Sequence, residues 1–122
     1  MDWLGPDGEV RFRVHFQDSA TNAPFAFHPK QLLDDGVPVD VAFLPIASFA
    51  QVERYPEAIV EHLKPRHVVL HHWDDFMVDP REDPVVLRGQ DLPEFLRRLE
   101  AVLPAEVGWS MPARGATLRF SR

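Results

Sequence analysis

The sequence predicts an α/β domain built on a largely parallel β-sheet. Apolar segments of strand length alternate with segments whose apolar residues repeat at helical spacing, in the order strand, helix, strand, helix, strand. The connections between them are short, and twelve prolines mark the element boundaries. At 122 residues, 45% of them hydrophobic, the chain has the length and composition of one globular domain spanning residues 1–122.

The elements follow in order. After a Gly5-Pro6-Asp7-Gly8 turn, Val10, Phe12, Val14 and Phe16 alternate with Arg11, Arg13 and His15. This period of two predicts a half-buried strand with the arginines and the histidine on its polar face. Gln17 to Asn22 breaks the pattern with small polar residues that favour turns. Residues 29–35 are expected to form a short helix closed by Gly36. Asp40 to Pro45 is an apolar run stopped by proline, the pattern of a strand covered on both faces. Residues 55–64 predict a helix, with Pro56 and Glu57 suited to its first turn and Ile59, Val60 and Leu63 forming an apolar stripe. Val68 to His72 is the next buried strand, and residues 79–90, with Pro80, Pro84 and Gly89, an exposed loop. A second helix runs from the N-cap candidate Asp91 to Leu103, its Leu92, Phe95, Leu96, Leu99 and Val102 repeating at helical spacing. Two short strands, 107–109 and 116–120, are expected in the tail.

Composition excludes several function classes. A net charge of −6 is the opposite of the basic footprint of a nucleic-acid or anionic-membrane binder. Without cysteine there is no thiolate site, so any metal must be held by His, Asp or Glu. Residues 1–6 lack the basic and apolar regions of a signal peptide, and no apolar run approaches the roughly 20 residues of a membrane span. The expectation is a cytoplasmic protein with no membrane and no nucleic-acid partner. No glycine-rich phosphate loop, nucleophile elbow or His-Glu-x-x-His pattern is present.

The chemistry-bearing residues cluster behind strands. In parallel sheets functional groups gather beyond the carboxyl ends of the strands, which puts Asp18, residues 45–49 and residues 72–76 along one rim. The segment Pro65 to Phe76 ends in His71-His72-Trp73-Asp74-Asp75, and imidazole and carboxylate suit a divalent hydrolytic metal. Side chains alternate along a strand, so only one of the two histidines faces a given site unless the strand ends between them. His72, on the face of Val68 and Leu70, is the ligand candidate, and His71 is assigned to the opposite side. Asp18, just past the first strand, is the second ligand candidate, and Asp74, Asp75 and His71 are candidates for orienting the imidazole. Each residue also has a plain structural reading: a strand-end histidine bonded to a loop, an Asx turn at Asp18, a turn cap at Asp74 or Asp75. His62 and His67 read as surface residues, and His15 and His28 are given no role.

Three segments in this order resemble the C-terminal half of metallo-β-lactamase-fold hydrolases, nearest to the lactonase-like branch. They are the strand ending in Gln17-Asp18-Ser19, the run Val39 to Pro45, and the run Lys64 to Phe76. The resemblance spans about residues 9–120. It implies that Asp18 matches the aspartate bridging two metals and His72 the last histidine ligand, with zinc, manganese or iron as cofactor. The implied activity is hydrolysis of an ester, lactone, amide or phosphoester by metal-bound hydroxide. Two departures accompany it: Gln17 stands where the family usually has glycine, and the His-x-His-x-Asp-His signature of the N-terminal half is absent.

The implied fold is therefore an α/β half of a four-layer αββα sandwich, a mixed β-sheet with helices packed on one face. Two ligands fall short of the three that a catalytic zinc needs, so the site in this chain is expected to be incomplete. The sheet face that the other half would bury is expected to meet a partner, either a second copy in a dimer or higher homo-oligomer, or the missing N-terminal half. The residues expected there are Val10, Phe12, Val14 or Phe16, with Val41 and Phe43, or Val68 and Leu70. The alternative function is a non-catalytic α/β interaction module.

Overall fold

The structure is a computed structural model that describes residues 1–29 and 32–121. Its centre is a five-stranded mixed sheet whose spatial order is the order of the chain. The strands are β1 (Asp2–Leu4), β2 (Val10–Phe16), β3 (Val41–Pro45), β4 (His67–His71) and β5 (Gly108–Ser110). β1 is antiparallel to β2 across a tight turn, and β2, β3, β4 and β5 run parallel. Helix α1 (Glu57–Leu63) joins β3 to β4, and α2 (Leu92–Val102) joins β4 to β5.

This order decides where the core lies. A crossover between parallel strands is right-handed, so crossovers that always step to the next strand in one direction all land on one face of the sheet. Ala42, Leu44, Val68 and Leu70 from the sheet pack there with Ile59, Val60 and Leu63 of α1 and Phe95 and Leu99 of α2. The β2–β3 connection covers the same face with Ala20, Ala26, Phe27 and Leu33. Phe95 is wholly buried and meets Phe49 edge-on at 5.1 Å and Tyr55 at 6.2 Å between ring centroids. The Tyr55 hydroxyl donates to the Pro45 carbonyl at 2.8 Å, which leaves no unsatisfied group from that ring in the core. Arg98 of α2 clasps Glu57 of α1 through two bonds of 2.6 and 2.7 Å and ties the helices together. Asp91 caps α2, its carboxylate accepting from the Glu94 amide at 3.0 Å.

The other face is thinly covered. Val14, Val41 and Val69 are buried there with Phe12 and Phe43 beside them, and no described helix lies over them. A groove of about 540 Å³ runs between these residues and the tail segment carrying Pro112, Ala116, Leu118 and Phe120.

Several expectations are corrected. β2 alternates as expected, but past the exposed Arg11 its polar side is buried, as is Val14 on the other. Arg13, His15 and Gln17 are 7, 4 and 7% exposed, whereas Phe16 is 53% exposed. The crossover covers the polar side, and Arg13 is fully engaged there: it donates to both carboxylate oxygens of Asp2 and of Asp35 and to the Val37 carbonyl. Val68 and Leu70 lie under the helices rather than on the open face. β1 is not anticipated, because three residues are too few to show a period; the Gly5–Gly8 turn, with Gly8 at φ 80°, folds it onto β2. Residues 30 and 31 of the expected 29–35 helix lie outside the described residues, and residues 33–35 form a turn that Gly36 closes at φ 75°. The expected strand at 116–120 is irregular chain lying over the open face.

Removing the Phe95 ring should leave a cavity at the meeting point of α2, Phe49 and Tyr55. Phe95→Ala is expected to lower unfolding stability by about 3–5 kcal/mol in urea titrations. A loss under about 1 kcal/mol would show that the helix layer does not close on this residue.

Candidate functional site

Parallel strands in register align their carboxyl ends. His15 pairs with Ala42 and Phe16 with Phe43, while Leu44 pairs with Leu70 and Pro45 with His71. The residues that leave these strands, Asp18 from β2 and His72 from β4, arrive at one rim. Asp18 Oδ1 and His72 Nε2 are 3.9 Å apart, and both side chains are largely open to solvent at 75 and 51%.

The backbone around them is stitched together. Gln17 N donates to the Phe43 carbonyl at 3.1 Å, Ile46 N to the His71 carbonyl at 2.9 Å, and Ala47 N to the His72 carbonyl at 3.2 Å. His71 Nε2 bonds the Gln17 carbonyl at 2.9 Å, a direct tie between β4 and the residue before Asp18. A carbonyl can only accept, so this bond puts the His71 proton on Nε2 and leaves Nδ1 bare in the neutral ring. The His71 ring stacks on Phe16 at 5.0 Å. Burial, followed by the neighbouring His72, lowers the His71 pKa, so the ring is neutral near pH 7. Gln17 has its own bond, from Nε2 to the Ser19 carbonyl at 2.8 Å, which shapes the turn that presents Asp18.

The assignment of His71 and His72 to opposite sides of the sheet is corrected. β4 ends at His71, and His72 takes a left-handed backbone at φ 51°. Alternation stops where the strand stops, and the two rings meet edge-on at 4.6 Å.

Asp74 and Asp75 are engaged elsewhere. Asp74 Oδ2 accepts from Arg114 Nε at 2.6 Å, and Asp75 Oδ1 accepts from the Met77 amide at 2.9 Å in an Asx turn. Arg114 also donates to the carbonyls of Asp75 and Val78, so one guanidinium from the tail holds the 74–78 loop. No spacing in the sequence links Arg114 to this loop. His67, read as a surface residue, bonds Ser110 Oγ at 2.8 Å and joins β4 to β5. His62 stacks face to face on Phe27 at 4.2 Å, and its Nε2 is buried.

Among the described residues, no group of three or more His, Asp or Glu is placed to hold a metal ion. Asp18 and His72 form a pair of donors with an open side. No family model matches the chain, and no curated protein or solved structure is significantly similar to it. No described helix is long and apolar enough to cross a membrane.

Loss of the guanidinium should free the 74–78 loop and leave Asp74 without its cation. Arg114→Ala is expected to speed amide hydrogen exchange at Met77 and Val78 about tenfold or more, the effect of losing roughly 1.5–3 kcal/mol of charge-assisted bonding. Unchanged exchange would show that the Asx turn and the backbone bonds to Val85 and Leu87 hold the loop without Arg114.

Proposed function

We propose that this chain is the C-terminal half of a metallo-β-lactamase-type hydrolase fold, and that Asp18 and His72 are its share of a metal centre completed by another polypeptide. The observation that carries this reading is the meeting of the two side chains, far apart in sequence, at 3.9 Å on the carboxyl-end rim. Two donors on one tetrahedral zinc at ligand distances of about 2 Å lie about 3.3 Å apart, so these two exposed side chains need to close by roughly half an ångström to share an ion. Carboxylate and imidazole also suit manganese or iron. A metal there would supply Lewis acidity for hydrolysing an ester, lactone, amide or phosphoester. The chain's own part is to position the donors: the Gln17 carbonyl holds His71, and the His71 ring lies against His72.

Two donors are one short of a catalytic zinc set, which makes the proposal one of assembly. The completing surface would be a second copy or an N-terminal half laid on the open sheet face of Phe12, Phe16, Phe43 and Trp3. Phe16 and Trp3 are each 53% exposed, and large apolar side chains gathered on one face favour such a partner. The same face also supports a second reading, a non-catalytic α/β interaction module, in which the partner is kept and the metal is not.

Zinc titration by calorimetry separates the two. With two donors the wild-type chain is expected to bind zinc weakly, and Asp18→Asn and His72→Asn to abolish that binding; asparagine suits position 72 because it tolerates a left-handed backbone. His71→Phe, which keeps a ring but loses the tie to Gln17, is expected to weaken binding about 10–100-fold. Zinc binding that survives both ligand substitutions, or no binding by the wild type, would leave the module reading standing. Light scattering tests the partner: more than one copy per particle is expected, and a stable monomer that unfolds cooperatively would remove the homo-oligomer.

A further inference from the structure

We infer that His15 and His28 form an acid-released clasp, fastening the 20–29 segment over the carboxyl end of β2 and letting it go when both imidazoles are protonated. The inference is independent of any metal at Asp18 and His72.

The clasp is one hydrogen bond between two rings. His15 Nδ1 and His28 Nε2 are 2.9 Å apart, with the rings edge-on at 4.9 Å between centroids. One nitrogen must donate and the other must be bare, so the contact exists only while at least one ring is neutral. With His28 donating, His15 carries its proton on Nε2, which is buried without a partner. Gln17 Oε1, on the same face of β2, is also a buried acceptor without a partner. In this arrangement a first proton can settle on His28 Nδ1 and leave the bond intact. A second must occupy His15 Nδ1, which removes the acceptor and sets two cations in contact.

The surroundings offer that second charge little compensation. The groups around the pair are the N-terminal amine and Asp2 at β1, Arg13 from β2 and Gln17 just after it, Asp35 from the β2–β3 connection, and His62 from α1. Asp2 and Asp35 are the anions of the set, and both oxygens of each are bound to Arg13. Burial, then the adjacent His28, pushes His15 down to about 4, and burial lowers His28 as well. An open segment would return His15 to an ordinary value near 6.5. The closed form therefore binds fewer protons than the open form, and closure is lost as pH falls from about 6.5 toward about 4.

What is released is a defined piece of structure. Beside the clasp the segment is held by the Phe27–His62 stack and by Asn22 Oδ1, which accepts from the Glu53 amide at 2.9 Å. The segment walls a depression of about 380 Å³ that includes Phe16, Asp18, Ser19, Phe25 and Phe27. Release removes that wall beside Asp18.

Amide hydrogen exchange of the full chain between pH 7.5 and 4, corrected for intrinsic rates, tests the clasp. The amides of Phe25 and Phe27, bonded to the Asn22 and Pro24 carbonyls, report on the segment. Their protection is expected to fall about tenfold per pH unit below about 6.5, one proton's worth, while Val68 and Leu70 in β4 keep theirs. His15→Gln and His28→Gln replace a titrating ring with a neutral amide and are expected to flatten the pH dependence. If His15→Gln does not fold, His28→Gln, at the less buried position, carries the test. Protection in the wild type that is flat with pH would overturn the inference. So would a fall that persists in the variants, or one shared by β4.

Discussion

The direction in which the chain winds governs this structure. Each parallel strand is laid beside its predecessor on the same side, and right-handed crossovers then have one face to occupy. Both helices and the long β2–β3 connection fall there, and all the aromatic rings of the main core with them. A doubly wound sheet reverses direction and covers both faces; this one does not. The apolar second face, with its exposed Phe16 and Trp3, is thus a product of topology rather than of an odd composition.

The same winding builds the rim. Because β2, β3 and β4 are neighbours in register, residues leaving their carboxyl ends emerge side by side, and the Gln17 and His71 bond closes the gap between the outer two. Asp18 and His72 are exposed while the groups holding them are not, an arrangement that keeps donors free and their supports fixed. The buried polar side of β2 contributes differently. Arg13 gathers Asp2, Asp35 and Val37 around one guanidinium, holding the far end of the crossover, while His15 holds the near end. The Arg13 guanidinium lowers the pKa of the carboxylates it touches, Asp35 to about 2.

Much of this was legible in the residue pattern. The unbroken apolar runs of β3 and β4 and the capped, striped α2 are strong local signals, and they lie within a residue or two of where they were expected. β2 shows the limit of such signals: alternation reveals two faces but not which one the rest of the chain covers, and here three polar residues with partners lie inside. The rim residues were legible as a neighbourhood because strand ends converge. The relation of His71 to His72 was not, since it turns on the one residue at which β4 stops. Arg114 and the His15–His28 pair depend on contacts between distant segments that leave no periodic trace.

The neighbour-to-neighbour pairing of strands also sets an order of assembly. Every strand finds its partner in the segment just before it, so each pairing requires closure of one connection and no threading back into an existing sheet. As the chain leaves the ribosome, β3 can dock on a finished β1–β2 hairpin, and β4 on β3, each with its crossover folding down behind it. The unpaired edge at any moment is the one that the next segment to emerge will cover. Among the described residues the short β5, three residues long, is the edge on that side, too brief to template a foreign strand.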